Sequence, residues 1–292
     1  MTSSSSIAVL GSAVLLPFLA CLADAKTAAS FPPFEQWKTA VAAGDAAALS
    51  KLYSSNPPAR LLTDTGRAAS LNDELQYWSR LKASGVTNIS PKVLSLETAG
   101  NQTRLVLRVQ ATKGSENLVA GAGQVWVRQP DGWHIAASQR SDFHVDAGRR
   151  LPEPTKPNAA LYAPPGDASA ELKSALAEAT REKKRVLVVF GANWCYDCHV
   201  LDTTFRSKEF APLVQANYVV VHINIGDEGK DNNDLAAHLG VNLDHGIPSL
   251  AVLDSDGKVI FAQQNGEFES TVKIGPEDVK AFLEKWRAGK KS

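Results

Sequence analysis

Two cysteines three residues apart, Cys195 and Cys198, are the residues whose types and spacing best suit chemistry in this chain. They follow the apolar run VLVVF at 186–190, which predicts a buried strand, and the sequence CYDCHVLDTTF contains no Gly or Pro, which predicts a helix that begins there. A thiol at a helix N-terminus is favoured as the thiolate, and its pKa of about 8.5 can fall to roughly 3.5–7.5. The second cysteine lies one turn later on the same face, within reach of a disulfide. The pattern indicates thiol–disulfide exchange.

A second motif, GIPS at residues 246–249, comes directly before the apolar run LAVL at 250–253. WCYDC after one buried strand, together with GIPS before another, resembles the thioredoxin fold, in which GIPS takes the place of the cis-proline loop. The resemblance covers residues 169–287 and implies an α/β domain, with a mixed sheet and helices on both faces. A cis Ile–Pro bond costs only about 0.5–1 kcal/mol over trans, so a packed loop can hold it.

The resemblance also implies roles for individual residues. Cys195 is the exposed nucleophile that forms a mixed disulfide with the substrate, and Cys198 resolves it. Trp194, Ile247 and Pro248 form an apolar, strand-pairing platform for the partner chain. The expected partners are protein thiols and disulfides and an upstream redox donor. No cofactor is expected.

Four further residues tune or depart from this pattern. Asp197 and Tyr196 lie within the active loop beside the substrate; the carboxylate opposes a thiolate on Cys195 and favours a reducing poise, while the tyrosine hydroxyl offsets part of that effect. The alternative is a solvent-facing pair without effect. The buried acid of the family falls on Val189, so His222 is the candidate for proton transfer, with a structural histidine as the alternative.

The sequence CYDCH at 195–199 also satisfies the c-type haem attachment motif CxxCH. The preceding strand, the GIPS motif and the lack of any Met after Met1 count against haem. Zinc on the two thiolates and His199 lacks a second ligand cluster. We therefore expect no metal.

The N-terminus predicts export. Residues 7–22 are apolar and Ala23-Asp24-Ala25 supplies a small-x-small cleavage pattern, so residues 1–25 resemble a signal peptide of a secreted or periplasmic protein. No Lys or Arg precedes the apolar run, so an uncleaved anchor is the alternative. Cys21 follows Leu-Ala as in a lipoprotein box, and lipidation there would anchor the protein to a membrane.

Residues 31–145 predict a separate α+β domain. Apolar spacing indicates helices over 34–54 and 71–83, and alternation indicates strands around 105–109, 119–127 and 133–136. Two helices followed by a curved antiparallel sheet resemble the NTF2-like (SnoaL-like) cone fold, which implies a pocket or a homodimer. The alternative function is therefore a ligand- or partner-binding protein, with a pocket lined by tryptophans and an accessory CxxC or haem site. The structural alternative to such a pocket places Trp37, Trp78, Trp126 and Trp133 in the core.

The remaining organisation is simple. A Pro-rich linker over 146–168 joins the first domain to the thioredoxin-like domain at 169–290 and is expected to be extended. The 31 Lys and Arg balance the 31 Asp and Glu, which gives no support for a nucleic-acid role.

Overall fold

Two β-sheets organise the chain in the computed structural model, which describes residues 31–63, 67–146, 151–166 and 168–289. One sheet belongs to the N-terminal half of the chain and the other to the C-terminal half. The predicted signal peptide over residues 1–25, including Cys21, lies outside the described residues. In the described part of the chain, no helix has the length and apolar character needed to cross a bilayer.

The N-terminal half begins with helices. They are α1 (Pro32–Ala43), α2 (Ala46–Ser50) and α3 (Leu71–Ala83). The predicted helix over 34–54 is wrong in its length, because Gly44 adopts a left-handed φ of 67° and Asp45 starts α2 as a new cap, accepting a hydrogen bond from the backbone N–H of Ala48 at 2.9 Å. The predicted helix over 71–83 is confirmed. Its N-terminus is fixed by a capping box between Ser70 and Asp73.

The N-terminal sheet is built from strands that are mostly antiparallel. They are β1 (Arg60–Leu62), β2 (Ala68–Ala69), β3 (Val86–Ala99), β4 (Gln102–Lys113), β5 (Glu116–Gln129), β6 (Gly132–Arg140) and β7 (His144–Val145). Their order is β2-β1-β6-β5-β4-β3, with β7 also paired to β5 and with β1 parallel to β6. Register shifts interrupt the β3–β4 and β5–β6 pairings, and such bulges bend and twist a sheet.

The C-terminal sheet is smaller and mixed. Its strands are β8 (Arg185–Gly191), β9 (Tyr218–Asn224), β10 (Ser249–Leu253) and β11 (Val259–Ala262), in the order β11-β10-β8-β9. The β8–β9 pair is parallel, and β10 is antiparallel to both of its neighbours. The helices of this half are α4 (Ala168–Glu182), α5 (Tyr196–Phe205), α6 (Ala211–Asn217), α7 (Asn233–His238) and α8 (Pro276–Lys285).

Strand β8 is the centre of the C-terminal half. All seven of its residues are buried, as expected for a strand covered on both faces. Because side chains alternate along a strand, Val188 and Phe190 enter one apolar core, while Leu187 and Val189 enter the other. The first core also contains Val125 of β5. The two halves therefore share apolar packing.

The segment between the halves is packed as well. Leu151 and Tyr162 are each only 1% exposed, and each belongs to one of the two cores that flank β8. The Pro-rich composition predicted an extended linker here. The described part, residues 151–166, packs against both folded halves, because its apolar side chains belong to the two cores.

Candidate active site

Cys195 and Cys198 lie where β8 ends and α5 begins. Cys195 is the N-cap of α5, and its sulfur accepts a hydrogen bond from the backbone N–H of Cys198 at 3.1 Å. The two cysteines are joined as a disulfide with a Cα–Cα distance of 5.3 Å. Cys195 lies at the start of the helix because the apolar strand ends just before it and the sequence that follows contains no helix breaker. An unpaired helix N-terminus stabilises negative charge, so this position favours a thiolate once the disulfide opens.

The GIPS loop faces the disulfide. The peptide bond between Ile247 and Pro248 is cis, and the Ile247 carbonyl oxygen lies 3.6 Å from the Cys195 sulfur. The hydroxyl of Ser249 donates a hydrogen bond to the carbonyl of Gly246 at 2.8 Å, which closes the loop on itself. A backbone edge therefore lies directly beside the sulfur that the sequence assigns as the nucleophile.

The site is covered, which sequence reasoning did not expect. The relative exposure of Cys195 is 0%, that of Ile247 is 0% and that of Trp194 is 1%, so the expectation of an exposed nucleophile is wrong for this conformation. The physical reason is the N-terminal sheet, whose Val125 and Ala137 belong to the same apolar cluster as the cysteines.

The contact between the sheet and the site depends on two glycines in β5. A Cβ atom on Gly123 would overlap the carbonyl oxygen of Trp194, and one on Gly121 would overlap the ring of Tyr196. The side-chain amide of Gln139 in β6 donates a hydrogen bond to the carbonyl of Ile247 at 2.9 Å. A substrate that binds as an added strand would donate a backbone hydrogen bond to this same carbonyl.

Sequence reasoning missed these three residues because they lie far along the chain from the cysteines. One signal was available in the run AGAG at 120–123 of a predicted strand, since glycines two residues apart share a face and permit close approach. Nothing local in the sequence identifies what approaches that face.

Asp197 does not lie free in the active loop. Its side chain is 4% exposed and accepts hydrogen bonds from the backbone N–H and the hydroxyl of Thr271, the former at 3.0 Å. The alternative of a solvent-facing carboxylate is therefore wrong. A neighbouring carboxyl group, Glu269, is 6% exposed and was not singled out from sequence. Burial raises the pKa of Glu269 to about 7, and the charge of Asp197 contributes in the same direction.

Tyr196 has its ring against Gly121, and its hydroxyl donates a hydrogen bond to Glu153 at 3.3 Å. The residue expected to face a substrate is thus 3% exposed and packed against the N-terminal half. The ring thus joins the active loop to the N-terminal half, and the hydroxyl joins it to the linker segment.

His222 lies on β9 beside Val189, the position where the family carries a buried acid. Its ring packs edge-on against Tyr162 with 5.2 Å between ring centroids. Burial, together with the charges of Arg206 and His199, lowers the pKa of His222 to about 4, so the imidazole is neutral at pH 7. A neutral imidazole can accept a proton, as the predicted role requires, but only weakly at this pKa.

The surroundings do not fit a c-type haem. The face above Cys195 is filled by β5, where a Cβ at either glycine finds no room, and His199 is 1% exposed with its ring Nε2 2.8 Å from the carbonyl of Asn193. Burial also lowers the pKa of His199. Within residues 31–63, 67–146, 151–166 and 168–289, no cluster of three or more His, Cys, Asp or Glu side chains is arranged to hold a metal ion.

Three of the four tryptophans of the N-terminal half lie in its core, whereas Trp133 is only half-buried. Trp37, Trp78 and Trp126 are at most 1% exposed, and the first two pack edge to face at 5.4 Å between centroids. The indole N–H of Trp37 donates to the Tyr53 hydroxyl at 3.4 Å. These three side chains therefore fill the interior, whereas the binding-protein alternative expected tryptophans to line a pocket.

Known proteins resemble the two halves separately. A family model for thioredoxin-like proteins matches residues 167–255. The solved disulphide isomerase of Xylella fastidiosa Temecula1 is 35% identical, with a TM-score of 0.40, over 43% of this chain and 95% of that chain. A comparison with curated proteins gives no significant match.

Structures resembling the N-terminal part are NTF2-like proteins. One from Rhodospirillum rubrum ATCC 11170 is 18% identical, with a TM-score of 0.30, over 37% of this chain and 93% of that chain. Another from Shewanella oneidensis MR-1 is 17% identical, with a TM-score of 0.33, over 38% of this chain and 94% of that chain. The fold class predicted from the sequence, a thioredoxin-like mixed sheet joined to an NTF2-like α+β half, is confirmed.

Proposed function

Since the chain belongs to the thioredoxin-like family through its C-terminal half, we propose that it is an exported thiol–disulfide oxidoreductase that exchanges disulfides with protein substrates. One observation supports this above all others. Cys195 caps the N-terminus of α5, is bonded to Cys198 and lies 3.6 Å from the carbonyl that precedes a cis proline. Few other functions need a cysteine pair, a helix N-terminus and a backbone carbonyl before a proline at one point.

The proposed reaction proceeds in two exchanges. In the reducing direction, the Cys195 thiolate attacks a substrate disulfide, forms a mixed disulfide and releases one substrate thiolate. Cys198 then attacks the Cys195 sulfur, which releases the second substrate thiolate and forms the internal disulfide. An upstream dithiol donor must return two electrons before the next cycle.

The reducing direction is proposed from the acidic surroundings of the site. Asp197 and Glu269 place carboxyl groups in the first turn of α5 and beside it, and negative charge there disfavours a thiolate on Cys195. A stable thiolate is what makes a strong oxidant, so its destabilisation favours a reductant.

The first test is the reduction potential of the cysteine pair, measured by equilibration of the full chain with glutathione buffers. We expect a two-electron couple near about −270 mV, as in a reductase, and not near about −120 mV, as in a strong oxidant. Cys195→Ser and Cys198→Ser variants must each abolish the couple. Absence of any couple in the wild-type chain would refute the proposed function and favour the binding-protein alternative.

An isomerase activity is the second candidate, supported by the 35% identity to the Xylella disulphide isomerase over 95% of that chain. Refolding of a scrambled multi-disulfide protein distinguishes it. An isomerase restores substrate activity without a net consumption of reductant, whereas a reductase releases free substrate thiols.

His222 is proposed to accept the proton of the resolving thiol. Its ring adjoins the strand position that lacks the family acid. His222→Gln is then expected to slow the resolution of the mixed disulfide in stopped-flow measurements. An unchanged rate would assign the histidine a structural role.

Export and assembly are proposed from the sequence. Mass spectrometry of protein secreted or released from the periplasm is expected to show an N-terminus at Lys26, after loss of residues 1–25. A lipidated Cys21 would give a different mass and a membrane fraction that Cys21→Ser releases. Light scattering of the purified protein tests the homodimer proposed for the NTF2-like half.

A further inference from the structure

The backbone of Tyr162 is hydrogen-bonded to the active loop. Its N–H donates to the side-chain oxygen of Asn193 at 2.9 Å, and the side-chain N–H of Asn193 donates to the Tyr162 carbonyl at 2.8 Å. Asn193 directly precedes Trp194 in the active loop. This reciprocal pair therefore fixes one residue of the Pro-rich segment against the redox site.

The Tyr162 hydroxyl lies beside the resolving cysteine. A Cβ atom on Gly191 would overlap the Tyr162 hydroxyl oxygen and would lie 2.7 Å from the Cys198 sulfur, so the two atoms flank the same point. Tyr162 is 1% exposed, and among the described residues its hydroxyl has no hydrogen-bond partner. A buried hydroxyl without a partner is unfavourable, so a partner that forms in another redox state would relieve that cost.

We propose that the Tyr162 hydroxyl donates a hydrogen bond to the Cys198 thiolate that forms when the disulfide opens. This inference rests on the proposed function. An incoming thiolate attacks the Cys195 sulfur; the new sulfur–sulfur bond forms, the Cys195–Cys198 bond breaks, and its electron pair remains on Cys198. The hydroxyl keeps its proton, because burial raises the pKa of Tyr162 above its ordinary value.

The proposal assigns to Tyr162 a polar contact with the resolving sulfur, which the aliphatic side chain of Val189 cannot make. In this chain an aliphatic side chain occupies the position of the family acid, and His222, on the neighbouring strand, packs against the ring of Tyr162. A hydroxyl from the segment before the domain thus takes over contact with the resolving sulfur. Sequence spacing alone does not reveal it, because helix α4 and strand β8 lie between Tyr162 and the CxxC motif.

Tyr162→Phe tests the proposal with the loss of one oxygen atom. A hydrogen bond to a charged group changes an equilibrium by about tenfold or more. We expect the equilibrium constant for reduction by glutathione to fall about tenfold, a potential roughly 30 mV more negative. In a Cys195→Ser background, the alkylation profile of Cys198 is expected to move about one unit to higher pH.

The control is Tyr218→Phe, which removes a buried hydroxyl that donates to the Leu283 carbonyl at 2.6 Å. It is expected to change stability but neither the potential nor the alkylation profile. Gly191→Ala is a second variant, because its methyl group separates the hydroxyl from the sulfur, and it should shift both readouts as Tyr162→Phe does.

An equilibrium constant for the reduction of Tyr162→Phe by glutathione within twofold of the wild-type value, with an unshifted alkylation profile, would overturn the proposal. Folding is not the obstacle, since the hydroxyl that is removed has no partner in the oxidised protein. A wild-type chain without any two-electron couple would instead refute the proposed function. The two failures are thus distinguishable.

A separate observation, the covered nucleophile, carries a second inference. Gln139 bonds the Ile247 carbonyl, β5 packs without Cβ atoms on the active loop, and Arg104 of β4 forms a two-pronged ion pair with Asp227, whose second hydrogen bond measures 2.6 Å. These contacts involve different atoms, and Cys195 is 0% exposed.

We infer that the N-terminal half is an autoinhibitory cover that a polypeptide substrate must displace. The amide of Gln139 occupies the hydrogen-bond acceptor that a substrate backbone would use, so cover and substrate compete for one carbonyl. The apparent affinity for substrate is then reduced by the fraction of molecules that are open.

Alkylation of the reduced full chain by a polymer-linked maleimide tests the cover. Gly123→Val, which adds a branched side chain against the Trp194 carbonyl, is expected to raise the rate at Cys195 at least tenfold. Asp227→Asn, which removes one end of the ion pair, is expected to raise it several-fold. Gln110→Ala, on the exposed side of β4, is the matched control and should leave the rate unchanged.

Equal rates of Cys195 alkylation in wild type, Gly123→Val and Asp227→Asn would refute the autoinhibitory cover. If Gly123→Val unfolds the N-terminal half, Asp227→Asn still decides the question, because it leaves the packing of β5 intact. A wild-type rate equal to that of an unfolded thiol would also refute it.

Discussion

The two halves of the molecule each bury a glutamate, and they treat it differently. Glu74 in the N-terminal half is 3% exposed, and its carboxylate accepts hydrogen bonds from the Trp78 indole at 2.6 Å and from the Arg140 guanidinium at 2.9 Å. Glu269 in the C-terminal half is 6% exposed, and within the described residues one of its oxygens has no hydrogen-bond partner. One carboxylate is satisfied and structural; the other lies beside the redox site.

The difference shows which of the two glutamates can change its charge near neutral pH. Arg140 also stacks over the ring of Tyr77 at 3.2 Å, so the polar cluster of the N-terminal half is held by several contacts at once. Burial raises the pKa of Glu269 more strongly than the positive charge of Lys273 lowers it, and the charge of Asp197 adds to the increase. Its protonation therefore responds to pH near neutrality.

The largest expected effect is the loss of the satisfied carboxylate. Glu74→Ala leaves the buried Arg140 with only the exposed Asp142 as a carboxylate partner, and it should lower the free energy of unfolding by about 3–5 kcal/mol. Urea denaturation of the full chain measures it. The control is Glu35→Ala, whose exposed pair with Lys38 spans 3.4 Å and should contribute less than about 1 kcal/mol. Equal losses in both variants would contradict the comparison.

A smaller effect is expected from Glu269. Its folded-state pKa of about 7 lies above its ordinary value, so the folded state binds the proton more tightly than the unfolded state. Its contribution to stability is therefore fully present at low pH and is lost as the pH rises towards 7. Between pH 5 and pH 8, wild type should lose about 2 kcal/mol relative to Glu269→Gln in urea titrations. Glu178→Gln, at an exposed position of α4, is the control and should follow wild type.

The smallest effect concerns the carboxylate beside it. Asp197→Asn removes a negative charge that helps to raise the pKa of Glu269, while the amide oxygen still accepts from Thr271. The pH midpoint assigned to Glu269 should fall by a fraction of a unit, because burial is the larger cause. NMR titration of the Glu269 carboxyl carbon measures this shift. A midpoint that rises would reverse the proposed sign of the interaction.

Much of the site was predictable because its determinants are local. The apolar run before Cys195, the absence of helix breakers after it and the Pro in GIPS specify strand, helix and cis loop within short windows. The same holds for α3, where Ser70 and Asp73 fix the helix start. The predicted helix over 34–54 failed at Gly44, where a single left-handed residue outweighed the apolar spacing.

The sequence by itself therefore determined the redox chemistry, the family and the order of the elements, since each depends on residues close together in the chain. Only the tertiary structure decided that Cys195 is covered, that Gln139 bonds the Ile247 carbonyl and that the Tyr162 hydroxyl and the Cys198 sulfur both lie beside Gly191. These contacts join residues up to 108 positions apart. Their partners are chosen by the shape and apolar packing of two sheets against each other, and no short pattern of residue types encodes that fit.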